Sequence, residues 1–222
     1  SWDEAVHLVL AALHLPPDTD ASVLDAKLAT SEKERLIHLV QRRVTEKLPL
    51  PYLTQEAWFG GLSFYVDERV HVPRSPIFEL IEEEFQPWLT LDNVSTVLDL
   101  CTGSGSLAVT LAHAIPHASV DAVDLSEDAL AVATINVEEY GLDEQVTLIQ
   151  SDLFSELKSK KYDLIISNPP YVCEDTYAVL PQEYKHEPEK ALKAGKDGLD
   201  IVGRILKPVS YTHLTLPTME LV

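Results

Sequence analysis

The chain has 222 residues, and its 36 acidic against 17 basic side chains give a formal net charge of −19 at pH 7. A surface of that sign repels nucleic acid at long range and attracts a basic protein, which weighs against direct nucleic-acid readout. The sequence has two cysteines, no signal-peptide pattern and no apolar run near the roughly 18 to 20 residues of a membrane span, which predicts a cytoplasmic protein without membrane attachment or disulfide framework.

The first part of the chain, residues 1–48, is predicted to be a helical domain. Two Ser-x-x-Glu sequences, Ser1 to Glu4 and Ser31 to Glu34, fit capping boxes at helix starts. Apolar side chains then recur at helical spacing, which is typical of a stripe that packs in a protein core. That stripe consists of Leu36, Ile37, Val40 and Val44.

A linker and a β-hairpin are predicted to follow the helical part. Pro49 and Pro51 end the helical pattern. Two short runs, Glu56–Phe59 and Leu62–Val66, then flank Gly60-Gly61, which is a signal for a two-residue hairpin turn. We expect this hairpin to bridge the helical part and the remainder of the chain.

A strand, a glycine-containing turn and a helix start come next in the sequence. The strand covers residues 95–100 and the helix begins near Leu107. The turn between them reads Cys101-Thr102-Gly103-Ser104-Gly105-Ser106. Its glycines allow the backbone to approach a ligand closely, and the helix N-terminus offers free N–H groups.

Two further strands end on carboxylates. Residues 119–124 close on Asp124, about 20 residues beyond the glycines, where an acid can accept both hydroxyls of a ribose. Residues 146–152 close on Asp152, which is followed by Leu153. Because the carboxyl ends of parallel strands meet at one edge of a sheet, these groups are predicted to lie together with the glycine turn.

Asn168-Pro169-Pro170-Tyr171 follows the apolar run from Tyr162 to Ser167. The two prolines remove two backbone donors and prevent the strand from continuing. The resulting turn presents carbonyl oxygens, an Asn side-chain carbonyl and an aromatic face in one place. Those groups suit a planar –NH2 group of an amide or a base, although a plain proline loop after a buried strand has the same local pattern.

The glycine turn alone also fits dinucleotide binding, because Gly103-x-Gly105-x-x-Ala108 satisfies that fingerprint. However, Asp99 lies just before the turn, where it would repel a pyrophosphate and attract an ammonium or a sulfonium. S-adenosylmethionine carries both cations and no phosphate. Together with the Asn-Pro-Pro-Tyr turn, this favours methyl transfer to a nitrogen.

Further motifs extend the pattern. They are Pro51-Tyr52-Leu53-Thr54, Phe59-x-Gly61-Leu62-x-Phe64-x-Val66-Asp67 and Arg69-Val70-His71-Val72-Pro73-Arg74-Ser75-Pro76. With the glycine turn, Asp124 and the Asn-Pro-Pro-Tyr turn, they resemble the class I methyltransferases that modify glutamine side-chain amides. The closest resemblance is to the branch acting on large-subunit ribosomal protein three. The sister branch, acting on release factors, usually has Gly where Cys101 stands and an acid and Thr in place of Ser75-Pro76.

The resemblance implies a Rossmann-like class I fold with S-adenosylmethionine as cofactor and a basic ribosomal protein as substrate. It implies that Asp99 and the backbone of residues 101–105 hold the methionine end, Asp124 the ribose, and Asp152 with Leu153 the adenine. It assigns the acceptor amide to Asn168, Pro169, Pro170 and Tyr171, of which Asn168, Pro169 and Tyr171 would be catalytic and Asn168 would also contact the cofactor. The methyl would be displaced directly, with no strong general base. The helical part would help to recognise the protein substrate.

The resemblance also divides the chain. It implies a partial helical domain in residues 1–48, a linker and hairpin in 49–72, a methyltransferase domain in 73–207 and an unrelated tail in 208–222. The sheet is therefore expected to be incomplete at the C-terminus and the chain truncated at both ends. A helix is predicted near residues 197–206, and the tail is not expected to complete the sheet.

Four alternatives stay open at this point. They are a release-factor glutamine methyltransferase, a nucleic-acid amino methyltransferase, a nicotinamide-dependent dehydrogenase and an inactive fragment that binds cofactor or partner. The eight histidines show no spacing typical of ligands, so no metal is expected.

Overall fold

The computed structural model describes residues 2–16, 19–20, 22, 25–157 and 160–209. Its helices are α1 (Trp2–Ala12), α2 (Thr30–Thr45), α3 (Leu50–Thr54), α4 (Ile77–Glu82), α5 (Ser106–Ala114), α6 (Glu127–Glu139), α7 (Glu174–Val179), α8 (Glu189–Leu192) and α9 (Asp200–Val209). Its strands are β1 (Glu56–Phe59), β2 (Leu62–Tyr65), β3 (Thr96–Leu100), β4 (Ser119–Asp124), β5 (Val146–Gln150) and β6 (Leu164–Ser167). Short 3-10 helices cover Leu91–Asn93 and Gln182–His186.

The N-terminal part is helical, as the sequence predicts, but α2 begins differently. Its N-cap is Ala29, whose backbone N–H donates to the carboxylate of Glu32 at 2.6 Å. The predicted box at Ser31 and Glu34 is therefore wrong, because the helix begins one residue before Ser31. The other predicted box begins at Ser1, which lies outside the described residues.

The apolar stripe of α2 does not pack in the core, so that prediction is wrong. Ile37, Val40 and Val44 are 57%, 46% and 58% exposed, and no side chain of α2 is fully buried. The helix packs against α1 and α3, which are only 11 and 5 residues long. Helical periodicity predicts that a helix has an apolar face, but it does not indicate which other segment covers that face.

The predicted hairpin is confirmed, with β1 and β2 antiparallel and Phe59 opposite Leu62. Gly60 and Gly61 have φ angles of +59° and +75°, a conformation that favours glycine. The second strand ends at Tyr65, one residue before the predicted Val66.

Asn136 of α6 and Tyr140, which follows that helix, bond the outer edge of β2. Asn136 accepts the N–H of Tyr65 at 2.7 Å and donates to the carbonyl of Tyr65 at 3.0 Å and to that of Ser104 at 2.8 Å. The hydroxyl of Tyr140 donates to the carbonyl of Ser63 at 2.7 Å. These bonds fix the hairpin against α6 and the glycine turn.

A parallel four-stranded sheet in the order β5-β4-β3-β6 forms the centre of the described chain. Helix α5 is buried along most of its length, since residues 106–112 are all buried. Phe64 of the hairpin, fully buried, joins Val97 of β3 and Leu111 of α5 in the largest apolar cluster. The hairpin is therefore built into the core of the sheet.

The predicted C-terminal helix is present as α9, which begins at Asp200 and includes Pro208 and Val209. The predicted start of the tail therefore falls inside this helix. The remainder of the predicted tail, residues 210–222, lies outside the described residues. Among the described residues, no helix is long and apolar enough to cross a membrane.

Candidate active site

The strand register brings the predicted site to one edge of the sheet. Leu100, the last residue of β3, pairs with Ser167 at the end of β6, and Asp124 pairs with Gln150 at the end of β5. The residues that follow these strands therefore share one edge. Along it, the β5 end, Asp124, the glycine turn and the Asn-Pro-Pro-Tyr turn follow the strand order.

A cavity of about 750 Å³ opens at this edge. Its wall includes the predicted residues Cys101, Thr102, Gly103, Ser104, Asp124, Asp152, Leu153, Asn168, Pro169, Pro170 and Tyr171. Asp99 and Gly105 do not belong to the wall. The structure therefore brings together all the predicted site residues except these two, and the volume suits a molecule of cofactor size.

The glycine turn is held in place by short contacts. The Thr102 N–H donates to the carbonyl of Val123 at 2.9 Å. Gly103 and Gly105 have φ angles of +57° and +79°. A Cβ on Gly105 would lie 3.1 Å from the Cβ of Ala133, so a side chain there would push the turn away from α6. Gly105 therefore allows the turn to pack closely against α6, although it does not itself line the cavity.

Asp124 connects β4 to the glycine turn. Its Oδ2 accepts the N–H of Gly103 at 2.9 Å, and its Oδ1 accepts that of Ser126 at 2.9 Å. Burial raises the pKa of this carboxyl, and the backbone hydrogen bonds oppose the rise. A carboxylate offers about four lone-pair sites, so each oxygen can accept a further bond from the cavity.

Asp99 lies beneath the glycine turn and is fully buried. Its Oδ2 accepts the hydroxyl proton of Thr102 at 2.6 Å, while its buried Oδ1 has no hydrogen-bond partner among the described residues. Burial raises the pKa of Asp99 to about 7, against the opposing effect of the Thr102 hydrogen bond. A direct contact with a cofactor therefore stays a prediction. Burial also raises the pKa of the neighbouring Cys101 to about 12, so this thiol is neutral.

Asp152 and Leu153 close the β5 end of the cavity. Asp152 pairs with Arg204 of α9 at 2.8 Å, and its side chain is about half exposed. Leu153 is buried with a φ of +52°, and its carbonyl accepts the hydroxyl of Ser151 at 2.8 Å. This segment thus gives the cavity an apolar wall beside a carboxylate.

The Asn-Pro-Pro-Tyr turn forms the opposite end. The Nδ2 of Asn168 donates to the carbonyl oxygen of Arg74 at 3.3 Å. Because the two heteroatoms of an amide point in different directions, Oδ1 faces away from Arg74. Pro169 and Pro170 are half-buried, and Tyr171 is 61% exposed. The turn thus offers acceptor oxygens and an accessible ring.

A segment that was not predicted from the sequence packs behind this turn. The Val172 N–H donates to the carbonyl of Leu192 at 2.8 Å, and the Ala194 N–H donates to that of Val172 at 3.0 Å. A Cβ on Gly198 would overlap the Tyr171 carbonyl oxygen, so this glycine permits the close approach. In the sequence, Gly198 reads as one more turn residue.

A buried carboxylate, Glu187, was missed as well. It contacts the guanidinium of Arg74 and the Nδ1 of His71, and it accepts the N–H of Val72 at 3.2 Å. These partners keep its pKa below the usual range although burial acts in the opposite direction. In the sequence it is one acid among many. Within the described residues, no group of three or more His, Cys, Asp or Glu side chains could hold a metal ion.

Comparisons with known proteins agree with this geometry. The Methyltransferase small domain family matches residues 85–204, more than half of the chain. The ribosomal protein uL3 glutamine methyltransferase of Bordetella pertussis is 56% identical over 207 residues, which cover 93% of this chain and 70% of that protein. The protein of the same name from Neisseria gonorrhoeae is 54% identical over 205 residues, covering 92% and 68%.

Among solved structures, the catalytic domain of human Mettl16, in complex with a 3′UTR hairpin, has a TM-score of 0.53 and 16% identity. The match covers 82% of this chain and 63% of that one. At that identity it shows the fold alone, which is the predicted class I arrangement. The family match excludes the dehydrogenase alternative. The chain belongs to the Methyltransferase small domain family, whose methyl donor is S-adenosylmethionine, and within it to the ribosomal protein uL3 glutamine methyltransferases.

Proposed function

We propose that this chain methylates a glutamine side-chain nitrogen of the large-subunit ribosomal protein uL3. The observation that carries the proposal is the orientation of Asn168, whose Nδ2 is engaged by Arg74. Its Oδ1 is thereby left as an acceptor at the same cavity as the glycine turn. The names of the relatives support the choice of substrate.

The cavity fits the cofactor in three respects. Asp124 has acceptor capacity for ribose hydroxyls, and the backbone of residues 101–105 curves around the neighbouring space. The Oδ1 of Asp99 has no hydrogen-bond partner among the described residues and would serve as an acceptor for the ammonium of the methionine end. Asp152 and Leu153 would take the adenine. When bound, S-adenosylmethionine supplies an electrophilic methyl group on a sulfonium.

The chain's own residues would prepare the acceptor. An amide nitrogen is a poor nucleophile because its lone pair is delocalised into the carbonyl group. Asn168 Oδ1 and the Pro169 carbonyl would accept the two N–H bonds, which localises the lone pair and aims it along the transfer direction. Tyr171 would pack on the amide. No strong base is needed, because the methyl transfer first gives a cationic N-methylated amide, which loses its extra proton readily to water.

A basic protein is the partner that the charge favours. The net charge of −19 draws such a substrate towards the enzyme and opposes RNA. The likeness to the RNA-bound Mettl16 domain concerns the fold, so it does not argue for a nucleic-acid substrate. Residues 1–48 would contribute to substrate recognition, and the proposed place of action is the cytoplasm.

The test is methyl transfer to competing acceptors. The chain is incubated with methyl-labelled S-adenosylmethionine and, separately, with uL3, a release factor and ribosomal RNA. Label on a glutamine of uL3, located by mass spectrometry, is the expected result. Label on the release factor alone would show that the substrate is a release factor, as in the sister branch, and not uL3. Label in RNA, or none in any acceptor, would contradict the proposal.

A further inference from the structure

Glu187 is a buried acid outside the wall of the cavity. It is 4% exposed, and its two oxygens hold three residues of the segment just before α4. One oxygen contacts Arg74, and the other contacts His71 and accepts the N–H of Val72. A single carboxylate thus fixes both the course of this segment and the position of its guanidinium.

Arg74 contributes through two different groups. Its guanidinium contacts Glu187 and lies 4.9 Å from the ring centre of Tyr184, a cation–π arrangement. Its backbone carbonyl accepts the Nδ2 of Asn168 at 3.3 Å. The Arg74 side chain therefore fixes the residue whose backbone carbonyl orients the side-chain amide of Asn168.

The segment that carries Glu187 is itself fixed from the helical part. In the 3-10 helix just before it, Glu183 pairs with Arg43 of α2 at 2.7 Å, and the Nε2 of His186 lies 2.8 Å from the carbonyl of Glu46. The carboxylate is thus held between α2 and the segment before α4.

We propose that Glu187 is a positioning residue for methyl transfer, acting through Arg74 on the side chain of Asn168. This rests on the proposed function, since Asn168 must receive the substrate amide. By fixing Arg74, Glu187 keeps the Nδ2 of Asn168 directed away from the cavity and its Oδ1 directed at the substrate. Without Glu187 the side-chain amide of Asn168 can flip, which would present its NH2 group to the substrate where an acceptor oxygen is required.

Kinetics provide the first test. Glu187→Gln keeps the shape but loses the charge, and Arg74→Lys keeps the charge but loses the planar fork. Both variants are expected to lower kcat for a glutamine peptide at least tenfold while the Kd for S-adenosylmethionine stays within twofold. Asp121→Asn, which weakens the ion pair with Lys160 at a residue that does not line the cavity, serves as the control with kcat within twofold. Unchanged kcat in Glu187→Gln would overturn the proposal.

A double-variant cycle separates positioning from general support of the fold. Asn168→Asp has no Nδ2, so nothing remains for Arg74 to orient. In that background Glu187→Gln is expected to lower kcat less than twofold further. A full additional tenfold loss would show that Glu187 acts independently of Asn168 and would overturn the proposal.

A spectroscopic readout is independent of turnover. The side-chain NH2 signals of Asn168, assigned by their loss in Asn168→Asp, are expected to shift in Glu187→Gln and in Arg74→Lys but not in Asp121→Asn. Signals unchanged in both site variants would overturn the proposal. If the wild-type chain fails to methylate glutamine, the proposed function falls, while these signals still test the link between Glu187 and Asn168.

Discussion

The cavity has two ends that are built in different ways. The cofactor end, formed by residues 101–105 and Asp124, is joined by contacts between segments that are close in the chain. Gly103 bonds a residue 21 positions away, and Ser104 one that is 32 positions away. At the acceptor end, Asn168 bonds Arg74 across 94 positions, and Arg74 contacts Glu187 across 113.

The two ends differ in which segments of the chain must come together to form them. The cofactor end follows from one strand–turn–helix unit and its neighbouring strand. The acceptor end exists only when residues 71–74 have met the distant segment 168–187, and the longer closure has the higher entropic cost. Partial opening of the structure should therefore impair acceptance of the amide before it impairs cofactor binding.

Asn168→Ala should separate the two ends most clearly. We expect a loss of about a hundredfold in methyl transfer, because the amide is no longer aligned with the methyl group. Cofactor affinity should change little, because residues 101–105 and Asp124 are untouched. Transfer to a glutamine peptide and titration calorimetry measure the two effects. Near-normal transfer would remove Asn168 from the acceptor site.

Asp124→Ala is the converse change. Losing hydrogen bonds to a charged group should weaken S-adenosylmethionine binding by about 1.5 to 3 kcal/mol. Asp121→Ala on the same strand is the control, because that carboxylate bonds Lys160 and Tyr162 instead of lining the cavity. Calorimetry should find weakened binding in the first variant alone. Equal affinities in both variants would contradict the predicted role of Asp124.

Asn136→Leu tests the bond between the hairpin and the cofactor end. The Tyr65 and Ser104 backbone groups would lose their partner, which should lower the free energy of unfolding by about 2 to 3 kcal/mol. Thr134→Ala on the same helix removes only a bond to the carbonyl of Leu130, and the expected loss is below about 1 kcal/mol. Urea unfolding compares the two variants, and similar losses would contradict this role of Asn136.

Asp99 gives an effect of another kind, a dependence of stability on pH. Its pKa is about 7 in the fold against an ordinary value of 3.8, so the folded state favours the protonated acid. This contribution to stability is present at low pH and is lost as pH rises from about 4 to about 7. Asp99→Asn imitates the protonated form and should gain stability over wild type across that range. Urea unfolding of both proteins checks this.

Asp124 is present in the wild type and in Asp99→Asn, so the difference between them reports the titration of Asp99 together with its coupling to the Asp124 charge. A difference in the free energy of unfolding that does not change with pH would contradict the prediction.

The same contrast between short and long separations explains what the sequence could predict. The Gly60-Gly61 turn and the strands ending at Leu100 and Asp124 are local patterns, and the structure has them where they were predicted. Parallel pairing then brings these ends together without further information. The roles of individual residues at the cavity stay predictions.

Long-range burial was not predictable. Nothing around Glu187 indicates that this acid, unlike its neighbour Glu189, is enclosed by a guanidinium and an imidazole. Nor does the spacing of Ile37 and Val40 indicate that their face stays exposed. Both depend on which distant segment arrives at that place, and an amphipathic pattern carries no such information.

The side-chain amide of Asn136 has one more consequence, for self-association. Its oxygen and nitrogen bond the N–H and carbonyl of Tyr65, as a peptide group of a neighbouring strand would. Tyr140 covers the next outward carbonyl, that of Ser63. An open strand edge is a template on which other chains can add strands and aggregate. Here one side chain of α6 and one of the residue that follows it occupy that edge of the hairpin, so it is closed to further strands.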